Sequence, residues 1–222
     1  MIVSPSLLNA GIYHLKDDLR NIQNAGASYL HIDVMDGKFV PNLSFGPGII
    51  SDLKKMTSLV LDVHLMIENP ENLILDFIQA GSDVLTVHQE STKHLYYVLQ
   101  TIKANRCKAG VAINPATPVQ SILPVLHLVD QILVMTINPG RQNQSFIEET
   151  LEKVQYLSQI RNKMGYVYKI QVDGSINDER VKDCLAAGVD IVVSGGYIFN
   201  ADDPGEQIRK LFKKEYEYKK VF

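Results

Sequence analysis

Four side chains able to bind a cation or move a proton stand near the ends of short apolar runs: His31 and Asp33 in YLHIDVM, His64 in LDVHLM and Asp173 in YKIQVD. Alternate side chains of an extended strand share a face, so His31, Asp33 and Met35 point one way, toward whatever core the strand helps to build. A carboxylate buried there is costly unless something pairs with it. Two imidazoles and two carboxylates meet that demand together by holding one divalent cation, and such a donor set suits Zn²⁺, Fe²⁺, Mn²⁺ or Co²⁺. Taken singly, each residue is as well explained by a hydrogen bond in the core; what favours a site is that all four fall at strand ends. Met35 and Met66 lie two residues beyond Asp33 and His64, and Met135 ends a further apolar run. They fill core space, or they give a site a polarizable wall that excludes water without donating protons, as a carbanion-like intermediate needs.

For these groups to meet, strands must carry them to one end of a fold. Short runs rich in β-branched residues recur at 2–4, 29–33, 59–65, 83–88, 108–113, 131–137, 168–173 and 190–195, and each reads as a buried strand. Helical spacing lies between them, as in Leu15, Leu19 and Ile22 or Leu73, Ile74, Phe77 and Ile78. Three strands are preceded by Ala-Gly, at 25–26, 80–81 and 187–188, where glycine can take the left-handed conformation that ends a helix. Eight uninterrupted strand–helix units in one domain, residues 1–222, fit an α/β fold of the TIM (β/α)8 barrel type, with an open doubly wound sheet as the competitor. The polar residues decide between them, because only a barrel converges the C-terminal ends of several strands on one point. The tail KKEYEYKKVF reads as a solvated helix end.

Composition narrows the partners. The 222 residues carry 22 Lys+Arg against 25 Asp+Glu, a net charge of -3 with no basic cluster, so neither nucleic acid nor an acidic membrane is an expected partner. Cys107 and Cys184 stand far apart without metal or redox spacing and read as reduced, buried thiols. Neither a leader-like N-terminus nor an apolar run of about 18 residues is present, and the expected location is cytoplasmic.

SPSLL (4–8), HIDVMDGKFVPNLSFGP (31–47), DVHLM (62–66), NPATP (114–118), MTINPG (135–140) and QVDGSI (171–176) follow one another in an order that resembles the ribulose-phosphate 3-epimerase family. The resemblance runs from Ser4 to Phe199. It implies a barrel of the ribulose-phosphate-binding type that interconverts ribulose 5-phosphate and xylulose 5-phosphate with one divalent metal per subunit, through a metal-stabilised cis-enediolate. It also implies that His31, Asp33, His64 and Asp173 are the metal ligands, that Asp33 and Asp173 double as acid and base, that Ser4 and His64 lie near the substrate, and that the protein is a homo-oligomer acting on a small phosphorylated ketose.

The phosphate end departs from the pattern. Gly174-Ser175 and Gly195-Gly196 occupy the loops after the seventh and eighth strands, where TIM barrels often bind phosphate through backbone N–H groups. The loop after the sixth strand usually reads N-P-G-F-G-G-Q in the family, whereas here Gly140 is followed by Arg141, Gln142, Asn143 and Gln144. Asn tolerates a left-handed backbone better than Gln does, so a changed path is expected, with Arg141 available for a charge-assisted bond to phosphate. Ser175 replaces a usual glycine, and V-D-G-S resembles the related allulose-6-phosphate 3-epimerases, which makes a hexulose phosphate the rival substrate. A non-catalytic sugar-phosphate binder is a third reading, while a phosphate-barrel decarboxylase would bring a D-x-K-x-x-D array that is absent. Among the remaining polar residues, His88 is expected as a hydrogen-bonded structural residue, His14, His94 and His127 as surface groups and Asp36 as turn chemistry. Asp62 is expected to support His64 or to cap the barrel floor.

Overall fold

Alternating side chains give each strand two apolar faces, one for the helices and one for the interior, which is what a closed parallel sheet requires. In the computed structural model, which describes residues 1–141 and 143–220, the strands are β1 (Ile2–Pro5), β2 (Tyr29–Met35), β3 (Val60–Met66), β4 (Val84–His88), β5 (Lys108–Ile113), β6 (Gln131–Met135), β7 (Lys169–Asp173) and β8 (Ile191–Ser194). All pair in parallel in the order β1-β8-β7-β6-β5-β4-β3-β2. A parallel bridge between Ser6 and His31 joins β1 to β2, so the sheet closes into a TIM barrel.

The outer ring consists of α1 (Leu15–Asn24), α2 (Pro47–Met56), α3 (Ile74–Ala80), α4 (Leu95–Ala104), α5 (Thr150–Met164), α6 (Arg180–Ala187), the short α7 (Gly196–Phe199) and α8 (Pro204–Lys219). Outward strand residues such as Ile32, Val63, Val87, Val111, Val134 and Val172 pack against buried helix positions, among them Leu19, Ile22, Phe77, Leu99 and Leu157. The three Ala-Gly pairs end helices as expected, with φ of +102° at Gly26, +112° at Gly81 and +103° at Gly188. Leu73, expected in the apolar stripe of α3, instead precedes the helix and is exposed. Cys107 and Cys184 are buried and unpaired, and burial pushes both thiols up to about 12.

One unit breaks the expected alternation. Between β5 and β6 the described residues form two 3₁₀ turns, Val119–Ser121 and Leu123–Val125, in place of an α-helix. Pro118 precedes the first and Pro124 sits in the second, and Pro124 removes an N–H that an α-helix running on from Val119 would need. Lys153 of α5 reaches across instead, donating to the carbonyls of Asn114, Pro115 and Thr117 at 2.9, 2.7 and 2.7 Å.

Inside the barrel, Ile2, Tyr29, Val60, Val84 and Ile191 pack together at the N-terminal end. Farther up, Gly110 of β5 lies opposite Thr86 of β4, so close that an added Cβ would fall 2.1 Å from Thr86 Oγ1. Gly110→Ala is therefore expected to destabilise the protein by about 1–3 kcal/mol through overpacking, read as a lowered midpoint in urea unfolding; an unchanged midpoint would mean that the barrel interior yields at this point.

Candidate active site

Two strands supply three of the four chemically capable residues. β2 and β3 lie side by side with His31 opposite Asp62 and Asp33 opposite His64, so the order His-x-Asp on one strand meets Asp-x-His on the next and forms two histidine–carboxylate pairs. His31 Nδ1 lies 2.9 Å from Asp62 Oδ2, and His64 Nδ1 lies 3.0 Å from Asp33 Oδ1. Asp62 also accepts from Gln131 Nε2 on Oδ1 (2.9 Å) and from Gln171 Nε2 on Oδ2, and Gln131 donates to Gln171 Oε1 at 2.8 Å. All of these groups are buried. Burial alone would raise the Asp62 carboxyl; the charge and hydrogen bond of His31, then the two glutamines, hold it below the usual carboxylate range. Asp62 thus supports His31 on the neighbouring strand rather than His64 on its own, because register neighbours are in contact while same-strand residues two apart are not.

Asp62 is a carboxylate and only accepts, so His31 Nδ1 carries the donated proton, and Nε2 is the ring position that a cation would take in place of a second proton. Nε2 is buried without a hydrogen-bond partner. It lies 3.3 Å from Asp33 Oδ1 and 3.8 Å from Asp173 Oδ2. One donor atom from each of His31, Asp33, His64 and Asp173 falls within 4.8 Å of the other three. This orphaned nitrogen, with its neighbouring oxygens and a second imidazole, forms a donor set able to hold one divalent cation.

The two aspartates are not equivalent. Burial works against ionised Asp33, but His31 and His64 more than reverse it and hold Asp33 far below the carboxylate range; Ser6 Oγ adds a hydrogen bond to Asp33 Oδ2 at 2.7 Å. Burial, then the charge of Asp33, pushes Asp173 up to about 7. His64 is pushed down to about 4, mainly by burial, whereas Asp33 and Asp62 overcome burial at His31 and raise it.

Above the cluster opens a cavity of about 420 Å³. Asp33, Met35, Met66, Met135, Gly140, Arg141, Asn143, Asp173, Gly174, Ser175, Gly195 and Gly196 all line it. Gln142 lies outside the described residues. His31 and His64 are buried beneath the cavity, facing the two aspartates. Ser4 is buried one step deeper with no hydrogen-bond partner, and Ser6 on the same face of β1 reaches the cavity in its place. Continuing the alternation Ile2, Ser4, Ser6 past Pro5 would have found Ser6. Asn9, Asn42, Asn177, Tyr197 and Asn200 also line the cavity; they stand in loops and short helical turns, where periodicity carries no signal.

The altered loop is closed by its own side chains. Asn143 takes φ +56° and Gly140 φ +73°, while Gln144 accepts from the Asn138 backbone N–H and donates to the Asn138 and Arg141 carbonyls. Ser175, at φ +56°, donates to the Gln144 carbonyl and so ties this loop to the one after β7. Asp36 accepts from the N–H groups of Lys38, Phe39 and Glu68, holding down the turn after β2. His88 is buried with Nε2 2.8 Å from His64 Nε2, and His14, His94 and His127 are exposed.

Eight parallel strands closed into a barrel, with a histidine–aspartate cluster at the C-terminal mouth, define a TIM-barrel enzyme site. Residues 2–199 match the model of the ribulose-phosphate 3 epimerase family. The chain is 42% identical over 213 residues to the chloroplastic ribulose-5-phosphate-3-epimerase of Arabidopsis thaliana, covering 95% of this chain and 76% of that one. It is 43% identical over 198 residues to the ribulose-phosphate 3-epimerase of Treponema pallidum, covering 89% and 91%. Among solved structures, 3-hexulose-6-phosphate synthase from Salmonella typhimurium superposes with a TM-score of 0.75 at 17% identity over 98% of this chain and 100% of that one, a likeness of fold alone. The chain belongs to the ribulose-phosphate 3-epimerase family and is an isomerase of the epimerase type.

The raised Asp173 carboxyl has a consequence for stability. It binds its proton more tightly in the folded than in the unfolded chain, so its contribution to stability falls as pH rises from the ordinary carboxylate range to about 7. In chelator-treated protein, Asp173→Asn is expected to flatten that slope and to exceed the parent by about 1–4 kcal/mol at pH 8, measured by urea unfolding across the pH range; a parent curve without the slope would refute the assignment.

Proposed function

We propose that the protein inverts C3 of D-ribulose 5-phosphate to give D-xylulose 5-phosphate, with one of Asp33 and Asp173 taking the C3 proton and the other giving a proton to the opposite face. The observation that carries this reading is one cluster holding two carboxylates of opposed proton affinity, on strands separated by β1 and β8. Epimerisation beside a ketone removes the C3 proton on one face and returns a proton on the other, so two acid/base groups are required. Asp33, ionised and steadied by Ser6, is set to take a proton, and Asp173 is set to give one. In the reverse direction the roles exchange.

His31 Nε2, His64 Nδ1 and the two aspartates would hold the cation. When bound, a divalent metal there supplies Lewis-acid stabilisation of the negative charge that develops on the sugar oxygens beside C3. Met35, Met66 and Met135 wall the cavity with groups that donate no proton, which protects the enediolate from stray protonation. The backbone at Gly174-Ser175 and Gly195-Gly196 faces the same cavity from the loops after β7 and β8, suited to the phosphate, and Arg141 can add a charge-assisted bond. A Cβ at Gly174 would fall 2.9 Å from the Ile137 backbone nitrogen, so only glycine fits there. The relatives named as ribulose-phosphate epimerases support the pentulose. Ser175, the residue that raises a hexulose phosphate as the rival, uses its hydroxyl to join two loops.

Parallel assays of ribulose 5-phosphate and allulose 6-phosphate are expected to give the higher kcat/KM for the pentulose, lost on chelation and restored by metal. Asp33→Asn and Asp173→Asn should each lower kcat by about 10²–10⁴-fold, and turnover in D₂O should place deuterium at C3 of the product. Full turnover in either variant would overturn the acid/base assignment, and preference for the hexulose would overturn the substrate.

A further inference from the structure

Behind His64 runs a row of hydrogen bonds that the proton transfer itself does not use. His64 Nε2 lies 2.8 Å from His88 Nε2, and His88 Nδ1 lies 3.2 Å from Glu90 Oε2. The other Glu90 oxygen accepts from the Asn114 N–H at 2.8 Å and from the Thr117 hydroxyl. Asn114 to Thr117 belong to the NPATP stretch, whose carbonyls Lys153 holds together. The Phe39 ring, its centroid 4.8 Å from that of His88, lies over the row.

Two imidazole nitrogens 2.8 Å apart share one proton, and the far end of the row decides which ring owns it. Glu90 as a carboxylate only accepts, so His88 Nδ1 carries hydrogen. A neutral His88 then presents a lone pair at Nε2, and His64 must donate from its own Nε2. The lone pair of His64 is thereby left on Nδ1, 3.0 Å from Asp33 Oδ1. A lone pair facing an anionic oxygen is unfavourable unless a cation sits between them. Asp62 does the same for His31 by the same logic, directing the Nε2 lone pair inward.

We propose that His88 and Glu90 are positioning residues that fix His64 in its Nδ1-ligating tautomer, with the NPATP turn holding Glu90 in place. This rests on the reading that the four-residue cluster binds a divalent cation. It gives the loop after β5, which contributes no residue to the cavity wall, a role in cation affinity. Ligand-orienting hydrogen bonds of this kind change metal affinity by about 10–100-fold.

The test is Co²⁺ affinity, by competition with a chromophoric chelator, together with the visible absorption of the Co²⁺ form, for the whole protein and four variants. His88→Phe fills the space without an acceptor and should weaken Co²⁺ binding about 10–100-fold and change the absorption bands. His88→Gln keeps a carbonyl oxygen for His64 to donate to and should recover most of the affinity. Glu90→Gln, which replaces the anion by a neutral amide, should weaken binding in the same direction by less. Unfolding of the chelated variants near the parent midpoint shows that the fold is kept; if His88→Phe fails to fold, Glu90→Gln carries the test. Asp173→Asn serves as the control for the underlying reading. Loss of affinity in Asp173→Asn but parental affinity and absorption in His88→Phe and Glu90→Gln overturns the positioning role alone. Parental affinity in Asp173→Asn, or no Co²⁺ binding by the parent, overturns the metal reading and the proposal with it.

Discussion

The register between β2 and β3 is the constraint on which the rest depends. Four ionisable groups are buried in the barrel on these two strands, and each would be costly there alone. In the observed alignment every carboxylate faces an imidazole, His31 against Asp62 and Asp33 against His64. A slip of one residue would turn the slipped strand over, sending its histidine and its aspartate toward the helices and Ile32 or Val63 inward, so the hydrophobic pattern and the polar pattern enforce the same alignment. The bridge from Ser6 to His31 and the two glutamines on Asp62 brace this pair of strands from either side.

Much of this arrangement is legible in the sequence because period-2 alternation is a local property. The shared face of His31, Asp33 and Met35, the strand-end position of Asp173 and the three Ala-Gly helix ends follow from neighbours a few residues apart. What is not legible is how strands align with one another. Asp62 shares a face with His64, which invites pairing within the strand, yet its partner is set by the register of a different strand. Ser4 is expected at the substrate only by the family resemblance, whereas the serine that reaches the cavity is Ser6, which lies beyond Pro5 and past the end of the strand run. The missing α-helix after β5 is announced by Pro118 and Pro124, but an apolar run such as Val119, Ile122, Val125 and Leu126 fits helical spacing as well as it fits two short turns.

The division of labour between rigid and variable parts follows the same lines. Residues whose proton affinity matters are carried on β2, β3 and β7, where backbone pairing fixes them. The groups suited to the phosphate lie in loops, yet those loops are not left loose. Gln144 closes the loop after β6, Ser175 fastens it to the next, and Val40 from the segment after β2 packs so tightly on Gly140 that no side chain could be added there. Replacing two glycines in this loop therefore does not leave it unsupported, because the polar side chains at either end supply the closure.

The polar layer formed by Asp62, Gln131 and Gln171, with the apolar layer of Tyr29, Val84 and Ile191 below it, makes the barrel one-ended. Under the proposed reaction, sugar and cation would enter by the cavity at the C-terminal mouth, and a ketose phosphate held there would cover the aspartates beneath it. Under that proposal, an aspartate that takes a proton from one face of the sugar would hold it out of reach of bulk water until the product leaves. Isolation of the proposed intermediate would in this sense be a property of the barrel floor as much as of any loop above it.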